Sequence, residues 1–186
     1  DGGGIILWNG TTATINGGRI EGNTGQRGAS AIEVRSGSNL YLNDGSVVTE
    51  NICGGQANTA SGAVSSYQGA SGGNVYLSGK VVVNHNMSWA AALDTGEPLR
   101  DIVVHDMNKL HIGALKEKSS VGVYSAQGYN SMGNQFAVGD TSAGEITNVN
   151  AVFNDIDERL GASYGSSNNR VVWIERTYKI RLNKNG

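Results

Sequence analysis

The sequence predicts an all-β solenoid, in which short strands stack coil upon coil. One unit occurs three times: an apolar-x-apolar strand, a glycine corner, a β-branched strand and a closing asparagine, which is Asn23, Asn51 or Asn86. The closing asparagines are 28 and 35 residues apart, and a unit that recurs at about 20–50 residues is typical of solenoids. The 28 glycines also argue against long helices, because each interior glycine costs roughly 1 kcal/mol relative to alanine.

The unit is clearest in residues 39–51, which read N-L-Y-L-N-D-G-S-V-V-T-E-N. Leu40 and Leu42 alternate with Tyr41, so the leucines share one face of a strand and the tyrosine lies on the other. The Asn-Asp-Gly corner suits a tight turn, because Asn and Asp hydrogen-bond to their own backbone and glycine accepts a positive φ. When equivalent strands stack, their inward residues form the continuous apolar rows that one short strand cannot supply.

The other strands are expected in order along the chain. In the first half they lie at residues 5–8, 11–15, 19–21, 31–34, 63–65 and 74–77. In the second half, longer apolar strands lie at residues 102–105, 109–112, 121–124, 170–174 and 177–182. Residues 54–74 are rich in Gly, Ser, Ala and Asn, and this insertion accounts for the longer second spacing.

The chain changes character near Ser88. Only nine of the 30 Asp, Glu, Lys and Arg residues precede it, and the repeat is lost after it. We therefore divide one body into repeat-bearing coils over residues 1–87 and an irregular β-rich continuation with a C-terminal cap over residues 88–186. A cap is expected because the last coil of a solenoid has an open strand edge.

The closing asparagines have two interpretations. Asn23, Asn51 and Asn86 each follow a β-branched residue by three positions. They either form an internal ladder, in which each amide bonds to the next, or serve as independent turn residues in the left-handed region.

The repeats resemble those of a known architecture. The phrase I-N-G-G-R-I-E-G-N-T at residues 15–24 is similar to the G-G-T-I-x-G-N-T repeats of right-handed parallel β-helix proteins, and N-V-Y-L at residues 74–77 resembles a phrase that closes such arrays. This resemblance implies the pectin-lyase-like superfold and an extracellular, modular protein of the cell surface of Gram-positive gut bacteria.

The composition excludes several classes of protein. A net charge of −2 without a basic stripe argues against nucleic-acid binding. No apolar run approaches the roughly 20 residues of a transmembrane helix. Cys53 is the only cysteine, so an internal disulfide is excluded. The chain begins at Asp1 without a methionine, and we expect a monomeric piece of a longer protein.

Exposed aromatic residues are the candidate ligand-binding residues, because sugars pack against the faces of tyrosine and tryptophan. Tyr41 and Tyr76 occupy equivalent places in their units, each between two inward residues, so both are expected to face outwards on one side. Tyr67, in the inserted loop, is expected to join them.

Acidic residues give a weaker case for metal binding or catalysis. Asp155, Asp157 and Glu158 faintly resemble a Ca²⁺ loop but lack the glycine and the distant glutamate of an EF-hand. Otherwise we expect no cofactor. The outward acids of the regular coils occupy non-equivalent places and are interpreted as a solvated face: Glu21, Glu33 and Glu50. Asp101, His105 and Asp106 are close in sequence, and ordinary surface polarity also explains them.

The fold alone does not select a function. The preferred hypothesis is a non-catalytic module of the bacterial cell surface, an adhesin or stalk, with a host or plant glycan or a surface protein as partner. The alternative is a carbohydrate-active module, either a polysaccharide-binding domain or a diverged polysaccharide lyase. Ice binding is disfavoured because the threonines do not recur at a fixed place in the units.

Overall fold

The predicted all-β parallel solenoid is confirmed. The structure is a computed structural model that describes residues 3–25, 29–53, 62–66, 72–88, 100–126, 128–141, 147–155, 157, 159–165 and 169–176. Its strands form a parallel β-solenoid of about four turns.

The first three coils share one plan of four strands. The first coil contains β1 (Ile5–Leu7), β2 (Thr12–Ile15), β3 (Gly18–Glu21) and β4 (Thr24–Gly25). The second contains β5 (Ile32–Val34), β6 (Asn39–Leu42), β7 (Ser46–Thr49) and β8 (Ile52–Cys53). The third contains β9 (Val64–Ser66), β10 (Asn74–Gly79), β11 (Val81–Val83) and β12 (Met87–Ser88).

Equivalent strands pair in parallel, so equivalent residues of the units lie above one another. Leu42 pairs with Ile15 on one side and Leu77 on the other, and Val48 lies between Ile20 and Val83. These inward residues form the apolar core, which explains why strands of three or four residues are stable together. The stacking also constrains the corners, because a Cβ at Gly79 would lie 2.8 Å from the Cα of Asp44.

The fourth coil departs from the plan. It contains β13 (Ile102–Val104), β14 (Leu110–Leu115) and β15 (Ser120–Ser125). The beginning of β15 pairs with β11 through Ser120 and Val121, and its end pairs with β13 through Val123. One strand therefore spans two columns of the solenoid, and within the described ranges the short sheet of β4, β8 and β12 has no fourth member.

The C-terminal end is closed by strands of opposite direction. The chain adds β16 (Gln135–Gly139), a 3₁₀ turn (Val149–Ala151), β17 (Val152–Asn154), β18 (Leu160–Tyr164) and β19 (Arg170–Glu175). β16 and β17 pair in parallel with β14 and β15. β18 and β19 form an antiparallel hairpin that joins β17 to β16. The strand expected at residues 177–182 lies outside the described residues.

The two ends of the core differ in burial. At the C-terminal end, Trp173 and Phe136 are fully buried and stack with ring centroids 3.6 Å apart, and the Trp173 Nε1 donates to the carbonyl of Tyr129. At the N-terminal end, Ile6 and Trp8 are exposed. Ile15 and Ile20 are half-buried, whereas their partners in the second coil are fully buried.

No helix in the described part of the chain has both the length and the apolar character that crossing a membrane requires.

Candidate functional site

An ordered row of outward side chains lies on the sheet of β2, β6, β10 and β14. Tyr41 is paired with Thr14 below and Tyr76 above, and Tyr76 is paired with His111. The rings of Tyr41 and Tyr76 stack with centroids 4.5 Å apart and planes 11° apart. Those of Tyr76 and His111 stack at 4.3 Å and 14°. We call this row, Thr14, Tyr41, Tyr76 and His111, the aromatic face.

Strand alternation explains why these rings point outwards. Each lies between two fully buried residues of its strand, such as Leu40 and Leu42 around Tyr41, or Leu110 and Ile112 around His111. Because successive side chains of a strand point to opposite sides, burying the leucines fixes the aromatic residues on the outer surface. The expectation that Tyr41 and Tyr76 face outwards on one side therefore agrees with the strand register.

Neutral polar side chains flank the aromatic face on both sides. On one side the Asn74 Nδ2 donates to the Asn39 Oδ1 at 2.9 Å. On the other, the Asn43 Nδ2 donates to the Asn16 Oδ1 at 2.8 Å, and the Ser78 hydroxyl donates to the Asn43 Oδ1 at 3.0 Å. These bonds join successive coils and hold the flanking groups in register with the rings.

The stacking changes what the aromatic residues offer to a ligand. The sequence suggested open ring faces, but Tyr76 has Tyr41 against one face and His111 against the other. A sugar that approaches from outside therefore meets ring edges, the tyrosine hydroxyls and the flanking amides. This surface favours recognition by hydrogen bonds over stacking of a sugar on a free ring face.

Burial favours the uncharged forms of Tyr76 and His111 on the aromatic face. Burial, followed by the nearby Tyr41 and Asp140, raises the pKa of Tyr76 above its usual value. Burial is also the main reason that the pKa of His111 is lowered, and Lys109 acts in the same direction while Asp140 opposes it. The environment of this row therefore favours the uncharged phenol of Tyr76 and the uncharged imidazole of His111.

His111 is a member of this row that the sequence did not single out. It follows Tyr76 by 35 residues, the same spacing that separates Tyr76 from Tyr41. The spacing is therefore a usable signal, although the surrounding sequence has lost the repeat. Tyr67, the third tyrosine expected at the site, lies outside the described residues.

The closing asparagines form a ladder inside the solenoid. The Asn23 Nδ2 donates to the Asn51 Oδ1, and the Asn51 Nδ2 donates to the Asn86 Oδ1, both at 2.9 Å. The backbone N–H groups of Asn23 and Asn51 donate to the same acceptors at 3.1 Å. Glu50 and His85, directly before two of the closing asparagines, have a positive φ. The three closing asparagines themselves do not. Of the two interpretations, the hydrogen bonds match the ladder.

Two aspartates continue and end this ladder. The Asn86 Nδ2 donates to the Asp101 Oδ1 at 2.8 Å, and the Asp101 N–H donates to the Asp155 Oδ2 at 2.8 Å. A Cβ at Gly122 would lie 2.0 Å from the Asp155 Oδ1 and 2.1 Å from the Asp101 Oδ2, so glycine leaves room for both carboxyls. Burial raises the pKa of Asp101 to about 6. Burial and the neighbouring Asp101 raise the pKa of Asp155 well above its usual value.

The residues suggested for Ca²⁺ are not gathered into one described site. Asp155 is buried and faces Asp101, whereas Asp157 forms an ion pair with Arg159 at 2.9 Å. Glu158 lies outside the described residues. Among the residues that the structure describes, no group of three or more His, Cys, Asp or Glu side chains is arranged to hold a metal ion. Ca²⁺ binding stays a prediction from the sequence.

The outward acids have separate environments. Glu21 forms an exposed ion pair with Arg19. The expectation of a solvated face is wrong for Glu33, which is 1% exposed and bonds through Oε1 to Arg35. Strand alternation predicts the side of the sheet on which Glu33 lies. It does not predict whether that side is exposed or buried.

Asp101, His105 and Asp106, which are close in sequence, have different partners in the structure. Asp101 belongs to the ladder, and His105 is buried. Asp106 accepts hydrogen bonds from the backbone N–H and side chain of Asn108, two residues further on. Ordinary surface polarity is therefore the wrong interpretation for Asp101 and His105, which are buried, and Asp106 has its partner within its own loop.

No protein-family model matches the chain, and the searches of curated proteins and of solved structures also give no match. The parallel solenoid is established by its strand pairing. The likeness to bacterial surface β-helices depends on the sequence motifs alone.

Proposed function

We propose that the chain is a non-catalytic module of a bacterial cell-surface protein, an adhesin or stalk, that binds a glycan on its aromatic face. The observation that carries the proposal is the in-register row of Tyr41, Tyr76 and His111, flanked by asparagine and serine side chains that join neighbouring coils. Stacked coils hold these groups rigidly, so little ordering is needed when a ligand binds.

Several contacts favour binding over catalysis at this face. A glycosidase requires two carboxyl groups about 5–9 Å apart on either side of the scissile bond. Asp44, at the corner after β6, is held by Lys116 at 2.8 Å. The groups on the aromatic face itself are phenols, an imidazole, amides and hydroxyls, which suit recognition.

The location at the cell surface is proposed from the resemblance of the repeats. A solenoid lengthens by adding coils without changing its cross-section, which suits a stalk. Several such modules in one longer chain would bind with a higher effective affinity than each alone. A host or plant glycan, or a glycosylated surface protein, is the proposed partner.

The test is binding to an array of host mucin glycans and plant polysaccharides, with Ca²⁺ and with EDTA. We expect binding to a glycan that is lost in Tyr41→Ala and Tyr76→Ala and kept in Val82→Ala. Val82 has the equivalent outward place in β11, on the neighbouring sheet, so it controls for surface changes away from the aromatic face.

Other results would separate the alternatives. Absence of binding at high micromolar protein would overturn glycan recognition and leave a stalk. Release of unsaturated sugar products would instead identify a diverged polysaccharide lyase. Loss of binding in EDTA would indicate a Ca²⁺ site and direct attention to Asp155, Asp157 and Glu158.

A further inference from the structure

We propose that the aromatic face binds a neutral, linear polysaccharide that lies along the solenoid axis, with one sugar residue over each coil. This inference rests on the glycan-binding function proposed above, and it specifies the class of glycan and its direction on the surface.

The direction follows from the strand register. Thr14, Tyr41 and Tyr76 occupy the same place in successive strands, and His111 continues the row. Neighbouring strands are about 4.7–4.9 Å apart, and the stacked rings of the aromatic face follow one another at 4.5 and 4.3 Å along the axis. A ligand that places one sugar over each coil has to advance by a similar distance per sugar.

The perpendicular direction offers fewer outward groups and ends at a corner of the solenoid. Along β6 and the residue that follows it, the outward groups are Asn39, Tyr41 and Asn43, and the chain then turns at Gly45, which has a φ of 83°. A ligand lying along one strand therefore leaves the sheet after three outward groups. A ligand lying along the axis crosses all four strands of the sheet without meeting a corner.

The ligand class follows from spacing and charge. In an extended β-1,4-linked glucan, mannan or xylan, each sugar ring advances the chain by a distance close to the strand spacing. Such a polymer presents hydroxyl groups along both edges, which match the amide rows of Asn39 and Asn74 on one side and Asn43 on the other. The row and its flanks present phenol, imidazole, amide and hydroxyl groups instead of Lys or Arg side chains, and burial lowers the pKa of His111. This favours neutral sugars over uronic or sialic acids.

The structure also limits the length of the site. The position above His111 is occupied by Val138 of β16, so the row of polar and aromatic groups gives way to an aliphatic side chain. At the other end, Thr14 belongs to the first coil. The aromatic face therefore accommodates about four sugar residues, one for each of its four members.

The experiment is a length series, in which linear β-1,4-linked glucan, mannan and xylan oligosaccharides of increasing size are titrated into the full chain by calorimetry. We expect an affinity gain of about tenfold, equivalent to about 1.4 kcal/mol, between two and four sugars, and little gain beyond. Tyr76→Phe keeps the ring stack and removes one hydroxyl, so it is expected to weaken tetrasaccharide binding more than disaccharide binding. Val82→Ala is the matched control.

The outcomes distinguish this inference from the proposed function. Binding that is independent of length, or that is confined to short branched or charged glycans, would overturn the axial arrangement while glycan recognition stands. Absence of binding to every oligosaccharide and to the glycan array would overturn both. A length dependence that is unchanged in Tyr41→Phe and Tyr76→Phe would place the ligand on another surface and would also overturn the inference.

Discussion

The repeat-bearing coils and the C-terminal closure of this solenoid are stabilised in different ways. In the coils, each residue packs on its equivalent, as Leu42 does on Leu77 and Asn51 on Asn86. In the closure, unlike residues meet: Val138 lies over His111, and the strand direction reverses at β18 and β19. The coils gain stability from many small contacts that repeat from coil to coil. The C-terminal closure depends on a few contacts of large side chains that occur once, such as that of Trp173 with Phe136.

The largest expected effect is the loss of the buried tryptophan of the closure. Trp173→Ala removes a fully buried ring that stacks on Phe136 and donates to the carbonyl of Tyr129. We expect the free energy of unfolding to fall by about 3–5 kcal/mol, measured by urea denaturation. The control is Trp8→Ala, because Trp8 is 51% exposed. Equal losses of unfolding free energy in the two variants would contradict the claim that the buried Trp173 stabilises the closure.

The next effect tests the ladder of the coils. The Asn51 side chain donates to the carbonyls of Ile20 and Thr49 and to Asn86, and it accepts from Asn23. Asn51→Ala leaves several of these buried groups unpaired, so we expect a loss on the order of 2–3 kcal/mol. Asn23→Ala, at the half-exposed start of the ladder, should cost about 1 kcal/mol. If thermal unfolding shows the reverse order, the ladder does not couple the coils.

The third effect is the pH dependence of stability, which we expect from Asp101 and Asp155, the two aspartates that end the asparagine ladder. Burial raises the pKa of Asp101 in the folded protein to about 6, above the usual value of an aspartate. The stability that protonation contributes is therefore complete below about pH 4 and is lost as the pH rises through 6. Asp155 has a raised pKa and extends the loss to higher pH.

The free energy of unfolding is measured by urea denaturation at pH 5, 6.5 and 8. We expect the free energy of unfolding to fall on the order of 1–2 kcal/mol over this range. Asp101→Asn, which continues the asparagine ladder, should reduce the fall, while the buried Asp155 keeps its own contribution. Arg100 lowers the pKa of Asp155 and His85 lowers that of Asp101, so His85→Gln is the control for the electrostatic effect of the histidine. An unchanged pH dependence in Asp101→Asn would contradict this role of the acid pair.

Most of the repeat-bearing coils could be predicted from the sequence. Alternation placed Leu40 and Leu42 inside and Tyr41 outside, and recurrence related Asn23, Asn51 and Asn86. The closure was harder to predict, because its contacts are not repeated. Asp101 follows Asn86 by only 15 residues, whereas the earlier spacings are 28 and 35. It is also an aspartate and not an asparagine, so neither spacing nor residue type indicates that it continues the ladder. The division of β15 between two columns depends on tertiary pairing that no local pattern encodes.

The smallest expected effect on stability concerns the aromatic face. Tyr76→Phe keeps the stack with Tyr41 and His111, so the free energy of unfolding should change by less than about 0.5 kcal/mol. Binding of the polysaccharide should nevertheless weaken. A variant that loses both stability and binding would indicate that the hydroxyl is structural.

The most direct test of the central claim, that the aromatic face is the binding surface, is amide hydrogen exchange with and without the tightest-binding tetrasaccharide of the length series. The account predicts that exchange slows in β6, β10 and β14, the strands that carry Tyr41, Tyr76 and His111. It predicts no change in β7 and β11 of the neighbouring sheet. Protection confined to β7 and β11, or to the C-terminal hairpin of β18 and β19, would contradict the claim.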